Sequence, residues 1–158
     1  MTDLNDIRIR DFRPAELLPL RRMIHDTIDA CYSGVYPPRA VQFFREFHSE
    51  ARIAERHQTG EVLVGEKDGG IVATGSRVGD EILGVFVDPA HQGRGYGKAM
   101  MHELERRARA KGLAEVTLSV SMPSRGFYES LGYEVVQACS HDVGEGQRLD
   151  YWKARKAL

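Results

Sequence analysis

Gln92-Gly93-Arg94-Gly95-Tyr96-Gly97-Lys98 packs three glycines and two cations into seven residues. It follows an apolar run, Glu81 to Val87, that Asp88-Pro89 stops, and it precedes an amphipathic stretch over 98–111. The run reads as a strand and the stretch as a helix, with Met100, Met101, Leu104 and Ala108 on one stripe. Glu103–Arg107 and Glu105–Arg109 stand four residues apart and are expected on the opposite, solvated side. Glycines at such a junction let backbone N–H groups converge without side chains in the way. The positive end of the helix dipole adds to them, so the junction predicts a cradle for phosphate or pyrophosphate. Arg94 and Lys98 supply further positive charge. A Walker A loop is excluded, because Ala99 follows Gly97-Lys98 and Gln92 stands where the first glycine should be. A dinucleotide fingerprint is excluded too, since Lys98 takes the third glycine slot.

Outward from the loop, the chain alternates strand and helix signals. Residues 7–12 alternate apolar and polar and predict a strand. Pro14 opens a helix marked by Leu17, Leu18, Met23, Ile24 and Ile28. Tyr32 to Pro38 reads as a loop, and 39–58 returns to helical character. Glu61 to Glu66 and Ile71 to Arg77 flank Asp68-Gly69-Gly70, a hairpin signal. After the loop helix, Gly112 fits a C-terminal cap. A strand at 115–120, a short helix near 123–131 and strands near 133–140 and 147–154 complete the series. The order β-α-α-β-β-β-α-β-α-β-β predicts an α/β chain with a largely antiparallel sheet, one domain over residues 1–158.

Composition narrows the function classes. Net charge is −1, with 42% hydrophobic and 28% charged residues. A nucleic-acid binder should carry a clear positive excess, so none is expected here. No apolar run approaches the ~20 residues of a membrane helix. Met1 to Arg10 lacks an apolar h-region, so no secretory signal is expected. Cys31 and Cys139 form no CxxC pair, which suits a reducing cytoplasm. The histidines form no HxxxH or HExxH spacing, so no metal site is expected. The charge is uneven: residues 91–112 hold six Lys and Arg against two Asp and Glu. This local excess coincides with the glycine cradle and suits a discrete polyphosphate.

Gln92, Gly95 and Gly97 make a Q-x-x-G-x-G pattern after a strand ending Val-Asp-Pro. Phe127-Tyr128-Glu129-Ser130-Leu131-Gly132-Tyr133 makes a second signature, F-Y-x-x-L-G-aromatic. Together they resemble the GNAT superfamily of acetyl-CoA-dependent N-acetyltransferases, over nearly the whole chain. The resemblance implies a single mixed, mostly antiparallel sheet of six or seven strands. About four helices flank it, and its central strands splay. It also implies acetyl transfer from acetyl-CoA, without a metal, by direct attack of a primary amine of a small molecule or peptide. A non-catalytic acyl-CoA-binding sensor is the alternative. Relatives often pair through C-terminal strands, which implies a homodimer using the strand near 147–154.

Acetyl transfer needs a neutral amine, support for the developing oxyanion and a proton for the departing thiolate. The resemblance assigns Gln92, Gly93, Arg94, Gly95, Tyr96, Gly97 and Lys98 to the pyrophosphate. Val85, Phe86 and Val87 would pair their backbone with the pantetheine arm beside Phe127. Tyr128 takes the place of the tyrosine near the sulfur, as general acid. Ser121 stands where many relatives carry an Asn that meets the arm. Glu81 matches the glutamate that some relatives use as general base; His91 or a water chain would serve instead. The acceptor groove would draw on Tyr32, Tyr36 and His141, with Phe43, Phe44, His48, Tyr151 and Trp152 as core or rim. That aromatic density would suit an apolar or aromatic amine.

Overall fold

Pro14 starts a single 3-10 turn, and the helix it feeds, α1 (Leu17–Tyr32), buries Leu20, Ile24 and Ile28 on one stripe. The structure, a computed structural model, describes residues 6–158. The first five positions of the Met1 to Arg10 reading therefore lie outside the described residues. Before α1 runs strand β1 (Arg8–Asp11). The stretch expected as one helix over 39–58 is two, α2 (Pro38–Phe47) and α3 (Glu50–Thr59). His48 leaves helical geometry, and the Ser49 side chain accepts the Arg52 N–H to cap a new helix. A serine cap satisfies an amide that a continuous helix would have bonded internally.

The remaining elements follow the predicted order. They are β2 (Glu61–Lys67), β3 (Gly70–Val78), β4 (Glu81–Val87), α4 (Tyr96–Ala110), β5 (Glu115–Ser121), α5 (Arg125–Ser130), β6 (Glu134–Gly144) and β7 (Gln147–Ala157). Asp68 and Gly69 both take positive φ in the β2–β3 turn, as a two-residue hairpin prefers. The seven strands lie in one sheet in the order β1-β2-β3-β4-β5-β7-β6. All neighbours are antiparallel except β4 and β5.

Helices cover both faces of the sheet at its centre, so β2 and β3 are buried on both sides, while β6 and β7 stay largely exposed. Val62 and Val64 pack under α1 and α3, while Leu63 between them packs toward α4. On β5, Val116, Leu118 and Val120 are buried in the α4 core. Each such side chain contributes ~1.5–3 kcal/mol of burial. Glu105 departs from the expected solvated pair. It is 2% exposed and bonds Lys156 Nζ at 2.9 Å and the Tyr133 hydroxyl at 2.8 Å. Its stripe on α4 meets β7 and the turn after α5, where those partners offset the cost of burying a carboxylate. No described helix is long and apolar enough to cross a membrane.

Candidate active site

Gly84 interrupts an otherwise bulky apolar run, Ile82 to Val87, and there β4 bulges. Thr74 pairs with Phe86 but Ser76 pairs with Leu83, so β4 holds one residue more than β3 across the step. Gly84 takes φ of +64°, a value that glycine adopts without strain. The bulge changes which face each side chain joins. Ile82 is buried in the core under α4, whereas Phe86 is buried in the core under α1. Beyond it β4 also leaves β5. Their parallel pairing consists of Glu81↔Thr117 and Ile82↔Leu118. Val85 to Val87 thus present backbone groups toward β5 with no strand opposite, as the splay predicts. Unpaired strand backbone is a template for an extended, amide-rich ligand.

At the end of β4 the Gln92 side chain donates to the Val87 carbonyl at 3.0 Å, fixing the loop to the strand. Gly93 and Gly95 have φ of +77° and +84°, and Gly95 caps α4. Gln92, Gly93, Arg94, Gly95 and Lys98 are exposed. Tyr96 is not: its ring is buried and its hydroxyl donates to Asp6 Oδ1 at 2.7 Å. Its side chain therefore anchors α4, and only its amide faces the loop. A Cβ on Gly97 would lie 3.2 Å from the Phe127 ring, so helix and ring approach closely. Such a loop, exposed, glycine-built and at a helix N-terminus, fits a pyrophosphate. Arg106 and Arg107 point elsewhere, to Glu103 and to Asp11 and Glu61.

Between the splayed strands lies a cavity of about 220 Å3. Glu81, Val85, Phe86, Ser121, Tyr128, Tyr32 and His141 all line it, with Phe43, Phe44, Phe47, His48 and Tyr151. The Tyr32 hydroxyl donates to Ser121 Oγ at 3.1 Å, and Ser121 Oγ lies 2.7 Å from Ser124 Oγ. Tyr128, on α5, packs between Phe127 and Tyr133. Its hydroxyl has no hydrogen-bond partner among the described residues. Burial pushes its phenol up, with Tyr32 adding to the shift, so it holds its proton at neutral pH.

Tyr36 is a correction. It does not line the cavity. Its hydroxyl donates to the Asp150 carbonyl at 2.8 Å and accepts the Met122 N–H at 2.8 Å. Burial, the main cause, pushes its phenol up to about 12. It braces the α1–α2 connection against β7 and the end of β5. Trp152 also lies outside, under the Arg125 guanidinium at 4.7 Å. His91 binds Asp88 at 2.8 Å, away from the cavity.

Sequence reasoning missed Gly84, Phe47 and Arg56. A lone glycine inside a strand pattern signals a bulge, so Gly84 was legible. Arg56 had no such signal. Buried on α3, it donates from Nη1 to His48 Nδ1 at 2.9 Å and from Nη2 to the Phe47 carbonyl at 2.6 Å. A guanidinium only donates, so the His48 proton sits on Nε2. Burial first, then Arg56 and His25, hold His48 well below its usual pKa of 6.5.

Folded His48 binds its proton less readily than unfolded His48. Below pH 6.5 the unfolded chain therefore takes up more protons and stability falls. Urea unfolding should give a flat stability above about pH 7 and a loss nearing ~1.4 kcal/mol per pH unit below it. In His48→Gln that acid component should vanish; equal slopes in both proteins would contradict it.

The family model described as acetyltransferase (GNAT) family matches residues 21–133. Glucosamine 6-phosphate N-acetyltransferase of Trypanosoma brucei brucei is 31% identical over 137 residues, 84% of this chain and 92% of that protein. A GCN5-related N-acetyltransferase from Rhodopseudomonas palustris superposes with a TM-score of 0.86 at 22% identity, over 96% of this chain and 95% of that one. The PaiA N-acetyltransferase of Thermoplasma acidophilum, solved with coenzyme A, gives 0.78 at 20% identity, over 96% and 99%.

Proposed function

The chain belongs to the acetyltransferase (GNAT) family, and on that premise we propose that it acetylates the primary amine of a small molecule or peptide in the cleft between β4 and β5. As a member it is an acetyl-CoA-dependent acyltransferase, which displaces the alternative of a non-catalytic sensor. One domain over 1–158 would carry the reaction. When bound, acetyl-CoA supplies the acetyl group in activated form, as a thioester.

The loop Gln92–Lys98 holds the pyrophosphate through glycine amides, the α4 dipole, Arg94 and Lys98. Val85 to Val87 offer backbone N–H and C=O groups to the pantetheine arm, and Phe127 flanks it. Ser121, engaged with Tyr32 and Ser124, shapes the cavity floor. Glu81 takes the amine proton, and a Val85 or Val87 N–H is placed to polarise the acetyl oxygen. Tyr128 delivers its phenolic proton to the sulfur side.

The observation that carries this reading is convergence. Glu81 and Tyr128, from elements far apart in sequence, line one cavity beside a strand edge left unpaired among the described residues. Free-thiol release from acetyl-CoA with an amine panel tests it. Glu81→Gln should lower kcat/KM about tenfold with acetyl-CoA affinity kept. An unchanged kcat/KM would assign proton removal to another group.

A further inference from the structure

We propose that the acceptor is a monoamine on an uncharged aromatic or apolar body, and that this cleft does not take a phosphorylated amino sugar. The inference rests on the acetyl-transfer reading and names the substrate class of that site.

Charge layout comes first. Among the described residues that line the cavity, Glu81 is the one carboxylate, and no Lys or Arg is present. The nearest buried cation, Arg56, lies behind the wall at Gly84 and donates to His48 and to the Phe47 carbonyl. His48 turns its acceptor nitrogen to that guanidinium, which leaves its ring neutral. A phosphate dianion would shed water beside Glu81 with no Lys or Arg in the lining to pair with it, a large penalty. An ammonium group meets the opposite situation, a single carboxylate at one end of an apolar chamber.

Wall chemistry agrees. Phe43, Phe44, Phe47 and Phe86 surround the chamber, in a chain of edge and stacked contacts. Phe43 stacks on Phe47 at 6.2 Å and meets His141 edge-on at 5.3 Å. Phe86 meets His48 edge-on at 5.0 Å. Such walls reward a flat apolar body through burial and ring contact. The rings themselves offer no partners to the hydroxyls of a sugar, and of the lining hydroxyls Tyr32, Ser121 and Ser124 are engaged with one another. The local positive charge of this chain lies instead at Arg94 and Lys98, on the exposed donor loop.

The test compares 2-phenylethylamine, butylamine, glucosamine 6-phosphate and spermidine, by thiol release and by calorimetry on the CoA-loaded protein. The kcat/KM for 2-phenylethylamine should exceed that for glucosamine 6-phosphate and for spermidine at least tenfold. Acetylation of either polar amine at an equal or higher kcat/KM overturns the class while leaving acetyl transfer standing. Binding of 2-phenylethylamine without thiol release leaves the class standing and sinks acetyl transfer. If 2-phenylethylamine neither binds nor reacts at millimolar concentration, the class falls. Phe43→Ala should lower the ratio of 2-phenylethylamine to butylamine kcat/KM about threefold. Fold integrity is read from acetyl-CoA affinity, and an unchanged ratio removes Phe43 from the acceptor wall.

Discussion

Gly95→Glu should weaken acetyl-CoA binding about 100-fold or more by calorimetry, a loss of ~2.7 kcal/mol. Two causes add. Gly95 sits at φ of +84° as the N-cap of α4, and a side chain there costs ~1–2 kcal/mol of backbone strain. The new carboxylate also enters the space where loop amides and the α4 dipole would meet the pyrophosphate. Like charges ~4 Å apart near a surface repel by up to ~4 kcal/mol. Gly95→Ala carries the strain alone, so it should lose ~10-fold or less. Added salt should soften the Glu variant more than the Ala variant, because screening acts on the charge. Affinity at the unsubstituted level in Gly95→Glu would move the pyrophosphate away from this loop.

Tyr128→Phe should lower kcat about 100-fold, within the usual range for losing a positioned proton donor. Acetyl-CoA affinity should change less than ~3-fold, because the ring keeps its contacts with Phe127 and Tyr133. Stability should hold as well. The hydroxyl has no partner among the described residues, so its removal leaves no buried group unsatisfied. Burial keeps the phenol protonated far above neutrality. The rate of the unsubstituted enzyme should therefore show no basic limb from Tyr128 below about pH 10. Unsubstituted turnover in Tyr128→Phe, or a limb near pH 8 that the variant abolishes, would strip the residue of its acid role.

Much of this was legible in the residues, and the failures share a cause. The loop was readable because glycine, cation and helix start are all local signals. The strand carrying Glu81 was readable for the same reason, and its lone Gly84 marked the bulge. Tyr32 and Tyr36, by contrast, stand four residues apart across the end of α1. What separates them is a carbonyl at Asp150 and an amide at Met122, contacts that sequence spacing does not encode. Glu105 looked like half of a surface pair because Arg109 is four residues on. Arg109 does stand 3.9 Å from it, but Lys156 and Tyr133, arriving from β7 and the turn after α5, hold it more closely and bury it. The break at His48 depended on Ser49 as a cap and on Arg56 below it. Apolar periodicity alone ran straight across.

The bulge at Gly84 has a consequence for how this protein can vary. Before it, even-numbered side chains of β4 belong to one half of the molecule; after it, they belong to the other, as Ile82 and Phe86 show. The strand contains a phase inversion, and its parity depends on chain length rather than on side-chain identity. An exchange at Val85 or Val87 alters half-buried packing against the core under α4 and leaves in place the main chain proposed to grip the donor. Loss or gain of one residue at position 84 would instead trade Phe86 between the two cores. Insertions and deletions are thus confined more tightly here than substitutions. The part of the acceptor wall carried by α2 and the α2–α3 break is free to diverge one residue at a time.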